Sequence, residues 1–334
     1  MSLKARLASR KLHSVLFLAV ALLLLGMFFR GSDFSEIRDS FLRARPSLIL
    51  AALIATMGTY FIRALRWQGL LSPLGHAGLV NCFSTTVIGF MMNFLAGRLG
   101  EIARPYLLAR REGFSASGAF ATILVERVLD LVTVVFFVAF WLIARPPRAA
   151  GEDVMSSLEL GGAIGLALAV VTFASMYFFA RYPERSMVIA RRFTRLLPQW
   201  LEAKAVSFLQ MFRSGLGVLV DRAGLARAGV LSVALWLAVC LAFWFTARAF
   251  GVRFHFGDTF LVIGFLTVGV AVPTPGAIGG YHYMAALALT TLFGTGASLA
   301  AAVALAAHAI SFLPVTILGI LLFAKAGLSV SEIK

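Results

Sequence analysis

The 334-residue chain is 60% hydrophobic and 13% charged, with a mean hydropathy of +0.91. This balance excludes a soluble globular protein, because too little polar surface is available to cover one. The net charge of +15 comes from bases scattered between apolar runs, without a nucleic-acid-binding motif, so we expect them to set topology and meet anionic lipid headgroups rather than nucleic acid. One all-α polytopic membrane domain over residues 1–334 is predicted.

Six apolar runs are predicted to span the membrane, each near the ~20 residues that a crossing helix needs. The first follows a cluster of bases as a signal peptide would, but no small-residue cleavage pattern comes after it, so we expect it to be retained as a span. In chain order the six runs are Leu12–Phe29, Ser47–Ile62, Phe114–Ile143, Leu160–Ala180, Ala228–Ala247 and Ser298–Ala324.

Two further apolar regions are interrupted by glycine and proline. Asn81–Ala96 ends at a break that starts at Gly97, and Thr259–Val272 is separated from Tyr281–Phe293 by a Pro- and Gly-rich segment. These pieces are too short to cross a bilayer, so two re-entrant hairpins are predicted. The alternative interpretation is that the glycines and prolines only kink two packed helices.

The distribution of Lys and Arg predicts the orientation. With Asn81–Ala96 as a hairpin arm, 21 of these residues fall on the cytoplasmic side and 8 outside, whereas a crossing at this point gives 10 and 19. The positive-inside rule therefore favours the hairpin. We expect a multi-pass protein of a bacterial inner membrane with both termini cytoplasmic and the two hairpins entering from opposite sides.

A short internal repeat supports this arrangement. Val87–Phe90 recurs letter for letter as Val262–Phe265, each in the first arm of a predicted hairpin. The pattern predicts an inverted repeat, with a first copy at about 47–144, a cytoplasmic amphipathic segment at about 181–227 and a second copy at about 228–324. Inverted repeats with broken helices place a substrate site where the hairpin tips meet.

Charged residues inside one predicted span form the first candidate site. Glu126, Arg127 and Asp130 lie in the middle of Phe114–Ile143, although each central charge costs about 2.5–3.5 kcal/mol to insert. Arg127 can pair with Asp130 three residues on, which lowers the cost of burying these charges. The trio is interpreted either as a structural pin between helices or as a polar lining or protonation site.

The tip of the first hairpin supplies a second candidate. Arg98, Glu101 and Arg104 follow the helix break at Gly97 and Gly100, where free backbone N–H groups favour an anion. Arg98 and Arg104 are predicted to hold a lipid phosphate, with Glu101 orienting one of them. The alternative is that both arginines extend to the headgroups and contribute only to topology.

The tip of the second hairpin completes the predicted site with Pro275, Gly276, Gly279 and His282. His282 can titrate near neutral pH, so a proton relay and a simple hydrogen bond both stay open. No zinc-protease, P-loop or nucleophile-elbow motif and no cysteine pair occurs, and the histidines lack acidic neighbours. No catalytic residue, metal or cofactor is therefore expected.

Three motifs resemble one known family. They are Asn93–Arg104, Val125–Asp130 and Pro273–Gly279. With these motifs the chain resembles the lysylphosphatidylglycerol synthase transmembrane (flippase-like) family, and the resemblance covers nearly the whole chain. The resemblance implies the membrane half of proteins that translocate aminoacylated phospholipids, or a stand-alone relative acting in lipid, hopanoid or polyprenyl-glycan transport. No soluble aminoacyl-transferase half is recognised, so we expect no synthesis of lysyl lipid. Relatives commonly carry an acidic residue where this chain has Gly280–His282, so a shared headgroup specificity does not follow.

Three functions remain as hypotheses. The inverted repeat favours a flippase that moves a lipid or lipid-linked headgroup between leaflets, with an anionic membrane lipid as substrate and a lipid-biosynthesis enzyme as a further partner. The alternatives are a membrane-embedded enzyme and a non-transporting assembly partner in lipid, hopanoid or lipid-linked glycan metabolism. A membrane enzyme is expected to gather its acids, histidines or metal ligands at one leaflet, whereas here the polar residues are spread across both hairpins and a span.

Overall fold

The computed structural model describes residues 19–144, 152–194, 198–272 and 274–325, and this part of the chain is all helical. The helices are α1 (Ala19–Phe29), α2 (Phe34–Arg43), α3 (Pro46–Leu70), α4 (Leu79–Ala96), α5 (Gly100–Glu112), α6 (Ala116–Ala144), α7 (Glu152–Arg181), α8 (Pro183–Thr194), α9 (Gln199–Gly215), α10 (Arg222–Ala249), α11 (Thr259–Ala271), α12 (Gly280–Phe293) and α13 (Ala297–Lys325).

Five helices are long and apolar enough to cross a membrane: α3, α6, the Leu160–Arg181 part of α7, α10 and α13. They confirm five of the six predicted runs and make this a multi-pass membrane protein. Residues 12–18 of the sixth run lie outside the described residues, and the remainder of it forms α1.

The predicted end of the second span is wrong. The helix α3 starts with Pro46 in its first turn, where the missing N–H is not needed, and continues eight residues beyond Ile62 to Leu70. Arg63 and Arg66, which follow the predicted end of the span at Ile62, therefore lie within a membrane helix. Their burial depends on charged partners that are distant in sequence.

The two Gly- and Pro-broken regions form two pairs of short helices. A 3₁₀ turn at Gly97–Leu99 separates α4 from α5, and one at Pro275–Ala277 separates α11 from α12. In the first pair the backbones of Gly89 and Gly100 are in direct contact, and in the second those of Gly269 and Gly280. Each pair is therefore held together by a contact between two glycines, and the number of residues between these glycines is the same in both pairs.

Each pair has a tip at its 3₁₀ turn and an open end, or base, where its first helix begins and its second helix ends. The two bases lie at opposite ends of α6. At the start of α6, Glu112 of α5 accepts a hydrogen bond from the N–H of Gly78 before α4 (2.9 Å), which holds the first open end together. At the far end of α6, the Trp141 indole donates to Asp258 just before α11 (2.9 Å). The helix α6 thus runs from the base of one pair to the base of the other.

The tips of the two pairs meet in the interior. The backbone of Gly276 lies against the ring of Phe94 at the end of α4, and Phe94 stacks on Phe312 of α13 with ring centroids 5.7 Å apart. The helices α3 and α10 flank this junction and run antiparallel, since the Arg45 N–H at the start of α3 bonds the Ala249 carbonyl at the end of α10 (2.9 Å).

The predicted amphipathic segment forms two helices, α8 and α9, with α9 beginning directly after Pro198. The end of α9 is not free on a surface, because the backbone of Gly215 packs onto that of Gly118 near the start of α6. Val188 and Ile189 of α8 expose about half of their surface, so α8 keeps an open apolar face.

Candidate functional site

A cavity of about 990 Å³ lies between the tips of the two helix pairs and the flanking helices. Most of its wall is apolar, as is usual for a small-molecule site. Its polar lining includes Thr56, Thr59, Tyr60, Arg63, Asn93, Glu101, Arg104, Arg127, Asp130, Trp236, Thr246, Thr267, Thr274, Tyr281 and Ser311.

Arg66 is the centre of a buried charge network behind this wall. Its guanidinium lies 2.7 Å from Asp130 and 3.1 Å from Glu126, and the Arg66 and Glu126 side chains are completely buried. Arg66 also donates to the Ser232 hydroxyl of α10 (2.7 Å), while the Trp236 indole donates to Asp130 (3.0 Å). The network therefore joins α3, α6 and α10.

Arg104 brings the first helix pair, α4 and α5, into the network. Its guanidinium lies 3.2 Å from Glu126 and stacks over the Trp67 ring at 3.9 Å from the ring centroid. The Trp67 indole is itself held by a hydrogen bond to Thr122 (2.9 Å). A guanidinium can stack on an aromatic face and donate in its plane, so these contacts fix the orientation of Arg104. Its Nε and Nη2 have no hydrogen-bond partner among the described residues.

Arg63 and Arg127 are held more loosely. Arg63 lies 3.8 Å from Asp130, and Arg127 lies 3.4 Å from Glu126 and 3.7 Å from Asp130. Both line the cavity. The predicted pair of Arg127 with Asp130 is present, although the Arg127 side chain is 41% exposed. Arg66 makes shorter contacts to both acids.

The network carries more positive than negative charge. In the part of the chain that the structure describes, the guanidinium groups of Arg63, Arg66, Arg104 and Arg127 surround the carboxylates of Glu126 and Asp130, an excess of two charges. Arginine stays protonated in proteins, and uncompensated charge in a low-dielectric interior is costly. An anion in the cavity would compensate this excess.

The first-hairpin candidates occupy different positions. Arg104 and Glu101 line the cavity, and the carboxylate bonded to Arg104 is Glu126 on α6. Arg98 lies in the tip turn, and the orientation of its side chain lies outside the described features. Whether Glu101 orients Arg98 stays a prediction.

The second-hairpin candidates form the tip itself. Gly276 adopts a left-handed φ of +60° and lines the cavity, and Gly279, at φ +89°, lets the backbone of α1 approach closely at Ala21. Pro275 begins the 3₁₀ turn. These residues shape the turn because a side chain at either glycine would be strained or would collide.

His282 lies behind the cavity wall, in contact with a second histidine. Its ring is 4.3 Å from that of His308, and its Nδ1 accepts a long hydrogen bond from the Gly279 N–H (3.4 Å). The His308 Nε2 lies 2.8 Å from the Gly276 carbonyl. The two histidines therefore tie the second tip to α13.

Sequence reasoning missed Arg63, Arg66 and Trp236. A signal was available for the two arginines, since they stand three residues apart among apolar side chains, as helical neighbours do, directly after an apolar run. The prediction ended the span at Ile62, before its first charge, and therefore did not use the spacing of the two arginines. Trp236 is one aromatic residue in an apolar span, and no local pattern marks it.

Comparison with known proteins gives a consistent result. A family model described as the lysylphosphatidylglycerol synthase TM region matches residues 14–319. Glycosyltransferase AglD of Haloferax volcanii is 24% identical over 325 residues, which cover 88% of this chain and 52% of AglD, so the chain spans about half the length of that relative. A UPF0104 membrane protein of Methanothermobacter thermautotrophicus is 23% identical over 316 residues, covering 89% of this chain and 90% of the relative. The chain belongs to the lysylphosphatidylglycerol synthase TM region family.

Proposed function

We propose that this membrane protein moves an anionic lipid between the two leaflets of a bacterial inner membrane and that its cavity holds the headgroup phosphate. The observation that carries the proposal is the excess of positive charge in the arginine network, whose Arg63, Arg104 and Arg127 line the cavity together with Asp130. A phosphate there compensates the excess, and the apolar remainder of the wall suits an acyl or prenyl chain.

The arginines still have donors to offer. Arg63 Nη1, at 3.8 Å from Asp130, and the Nε and Nη2 of Arg104 are buried and donate no hydrogen bond in the described part of the chain. Unpaired buried donors cost free energy until a ligand or water binds them, and the planar guanidinium fork matches phosphate oxygens. Arg104 stacked on Trp67 and Arg63 on the facing helix thus form a preorganised pair of phosphate contacts.

The arrangement of the helix pairs supports a transport mechanism. Because the bases of the two pairs lie at opposite ends of α6 and their tips meet near Gly276, we propose two oppositely oriented re-entrant hairpins in an inverted repeat. Rocking of one repeat against the other would expose the cavity first to one leaflet and then to the other.

The enzyme alternative draws on the name of AglD, a glycosyltransferase. The candidate general bases do not favour it, because Glu126 and Asp130 are each held by several arginines. A carboxylate stabilised in its charged form by such partners is a weak proton acceptor. Transport of a lipid or lipid-linked headgroup therefore fits the network better than acid–base catalysis.

Cysteine labelling tests the topology. In a Cys82→Ala, Cys240→Ala background, His76→Cys and Arg111→Cys report on the base of the first hairpin, and Arg253→Cys reports on the base of the second. All three positions are exposed. We expect membrane-impermeant maleimide to label the first two only from the cytoplasm and the third only from outside, since a hairpin returns to the side it entered.

The matched control is the same labelling in inside-out vesicles, where the pattern should reverse. Labelling of His76→Cys and Arg111→Cys from opposite faces would show that α4 and α5 together cross the membrane and would rule out the first hairpin.

Arg63→Gln tests the phosphate contact. Loss of a charge-assisted hydrogen bond costs about 1.5–3 kcal/mol, so we expect exchange of acyl-labelled phosphatidylglycerol in proteoliposomes to slow about tenfold or more. The measurement is dithionite quenching of the label in the outer leaflet, with and without imposed pH and sodium gradients. The fold should survive, because Asp130 keeps Arg66 at 2.7 Å.

The control is Arg38→Gln, which removes the same charge from an exposed pair with Asp39 and should exchange lipid at the wild-type rate. If Arg63→Gln exchanges lipid at the wild-type rate, the phosphate does not bind at Arg63. Absence of exchange by the wild-type protein under every gradient would reject the transport function.

A further inference from the structure

A second set of polar atoms, all of them uncharged, lines the same cavity. Thr56 of α3, Asn93 of α4 and Thr274 at the second tip line the cavity, and the side-chain oxygen of each is buried without a hydrogen-bond partner among the described residues. Thr56 and Thr274 are 5% and 7% exposed. Three orphaned oxygens from three separate elements in one cavity indicate a site built for a hydrogen-bonding ligand.

These oxygens are displaced from the arginines. Thr56 lies seven residues before Arg63 on the same face of α3, which places it two helical turns away, about 10 Å along the axis. Thr274 and Asn93 belong to the two tips that meet at Phe94 and Gly276. A headgroup with its phosphate at Arg63 therefore reaches these oxygens only with a part that extends beyond the phosphate.

The chemistry of the oxygens selects what that part is. Threonine hydroxyls donate and accept hydrogen bonds, and an asparagine oxygen accepts them, which suits the hydroxyls of a polyol. An ammonium group needs a carboxylate, yet Glu126 and Asp130 are already held by arginines, and the excess positive charge of the network repels a cation. Glu101 also lines the cavity outside this network, but its single negative charge does not offset the network's excess of two positive charges.

We propose that Thr56, Asn93 and Thr274 form a neutral subsite for the uncharged, hydroxyl-rich part of the headgroup, so that the protein prefers a polyol lipid to one that bears an ammonium group. The preference rests on the proposed function, because it takes the phosphate at Arg63 as the anchor. Two lipids share this chemistry, namely a glycerol phospholipid and a glycosylated polyprenyl phosphate.

Competition binding tests the subsite with purified full-length protein and labelled phosphatidylglycerol. The competitors are phosphatidic acid, which has the phosphate alone, phosphatidylglycerol, a glucosyl polyprenyl phosphate and lysyl-phosphatidylglycerol. We expect at least one of the two polyol lipids to bind about tenfold more tightly than phosphatidic acid, and the tighter of the two identifies the source. Lysyl-phosphatidylglycerol should bind more weakly than phosphatidylglycerol.

The decisive variant is Thr56→Val with Thr274→Val, which keeps side-chain volume and removes both hydroxyls. It should bind the polyol lipids and phosphatidic acid equally, with an unchanged affinity for phosphatidic acid. The control is Thr133→Val, since Thr133 is buried and its hydroxyl bonds the Leu129 carbonyl within α6, and it should keep the preference.

The outcomes separate the two proposals. Three results would each overturn the neutral subsite while the phosphate site stands. The wild-type protein could bind all anionic lipids equally, or the double valine variant could retain the preference. The third result is that lysyl-phosphatidylglycerol binds as tightly as phosphatidylglycerol. Failure of the wild-type protein to bind any anionic lipid would overturn both. Weaker binding of every anionic lipid by Arg63→Gln, with the preference for polyol lipids intact in the wild type, supports both.

Discussion

Replacing Arg66 with methionine is expected to lower the apparent unfolding temperature of the purified protein by roughly 10 °C. Arg66 makes the shortest contacts to both buried acids, at 2.7 Å to Asp130 and 3.1 Å to Glu126, with no exposed surface. Removing one partner of a buried ion pair costs about 3–5 kcal/mol because the remaining charge stays desolvated. Thermal unfolding in detergent, followed by size-exclusion chromatography, measures the change.

Arg127→Met is the matched comparison. It removes the same charge from the same two acids, but its contacts are 3.4 and 3.7 Å long and its side chain is 41% exposed, so its contribution is screened. We expect Arg127→Met to lower the unfolding temperature less than Arg66→Met. An equal or larger effect of Arg127→Met would mean that the pairing within α6, rather than the contact from α3, stabilises the acids.

This comparison also marks the limit of local sequence patterns. The spacing of Glu126, Arg127 and Asp130 showed that one helix face carries two acids with a base beside them, and the structure pairs Arg127 with both. The stronger partner lies on a helix that is 60 residues earlier in the chain. No spacing rule reaches across that distance, because the contact exists only after α3 and α6 pack together.

Hydropathy predicted the spans well because a bilayer imposes their length. Five of the six predicted runs coincide with long apolar helices, and the breaks near Gly97 and Pro275 coincide with 3₁₀ turns. Where hydropathy failed, at Arg63 and Arg66, it counted a charge as the end of a helix. Those charges are tolerated inside because Asp130 and Glu126 compensate them, and hydropathy contains no information about partners.

The four-residue repeat falls in α4 and α11, but its register differs from that of the glycine contacts. Val87–Phe90 and Val262–Phe265 align Gly89 with Gly264, whereas the contact equivalent to that between Gly89 and Gly100 is made by Gly269 with Gly280. Gly264 instead packs against Val138 of α6. Identical apolar letters reflect similar surroundings, but the register of a helix pair is set by where two backbones touch.

Gly100→Ala and Gly280→Ala are expected to abolish lipid exchange and to destabilise the protein. A Cβ at either position would overlap the backbone carbonyl of the partner glycine, Gly89 or Gly269, and a carbonyl within a helix cannot move aside as a flexible side chain can. Overpacking costs about 1–3 kcal/mol, and the separated arms would displace the tips that form the cavity. Lipid exchange and thermal unfolding measure the two effects.

The sign of the stability change makes this prediction specific. Inside a helix, Gly→Ala normally stabilises by about 0.5–1 kcal/mol because alanine loses less backbone freedom on folding. Among the described residues, no atom lies within 4 Å of a Cβ added at Gly229 of α10, so Gly229→Ala should raise or preserve stability and keep exchange. If Gly100→Ala and Gly280→Ala behave like Gly229→Ala, the close glycine contacts do not hold the helix pairs together. If Gly229→Ala raises the stability while Gly100→Ala and Gly280→Ala lower it, the loss of exchange results from separation of the paired helices.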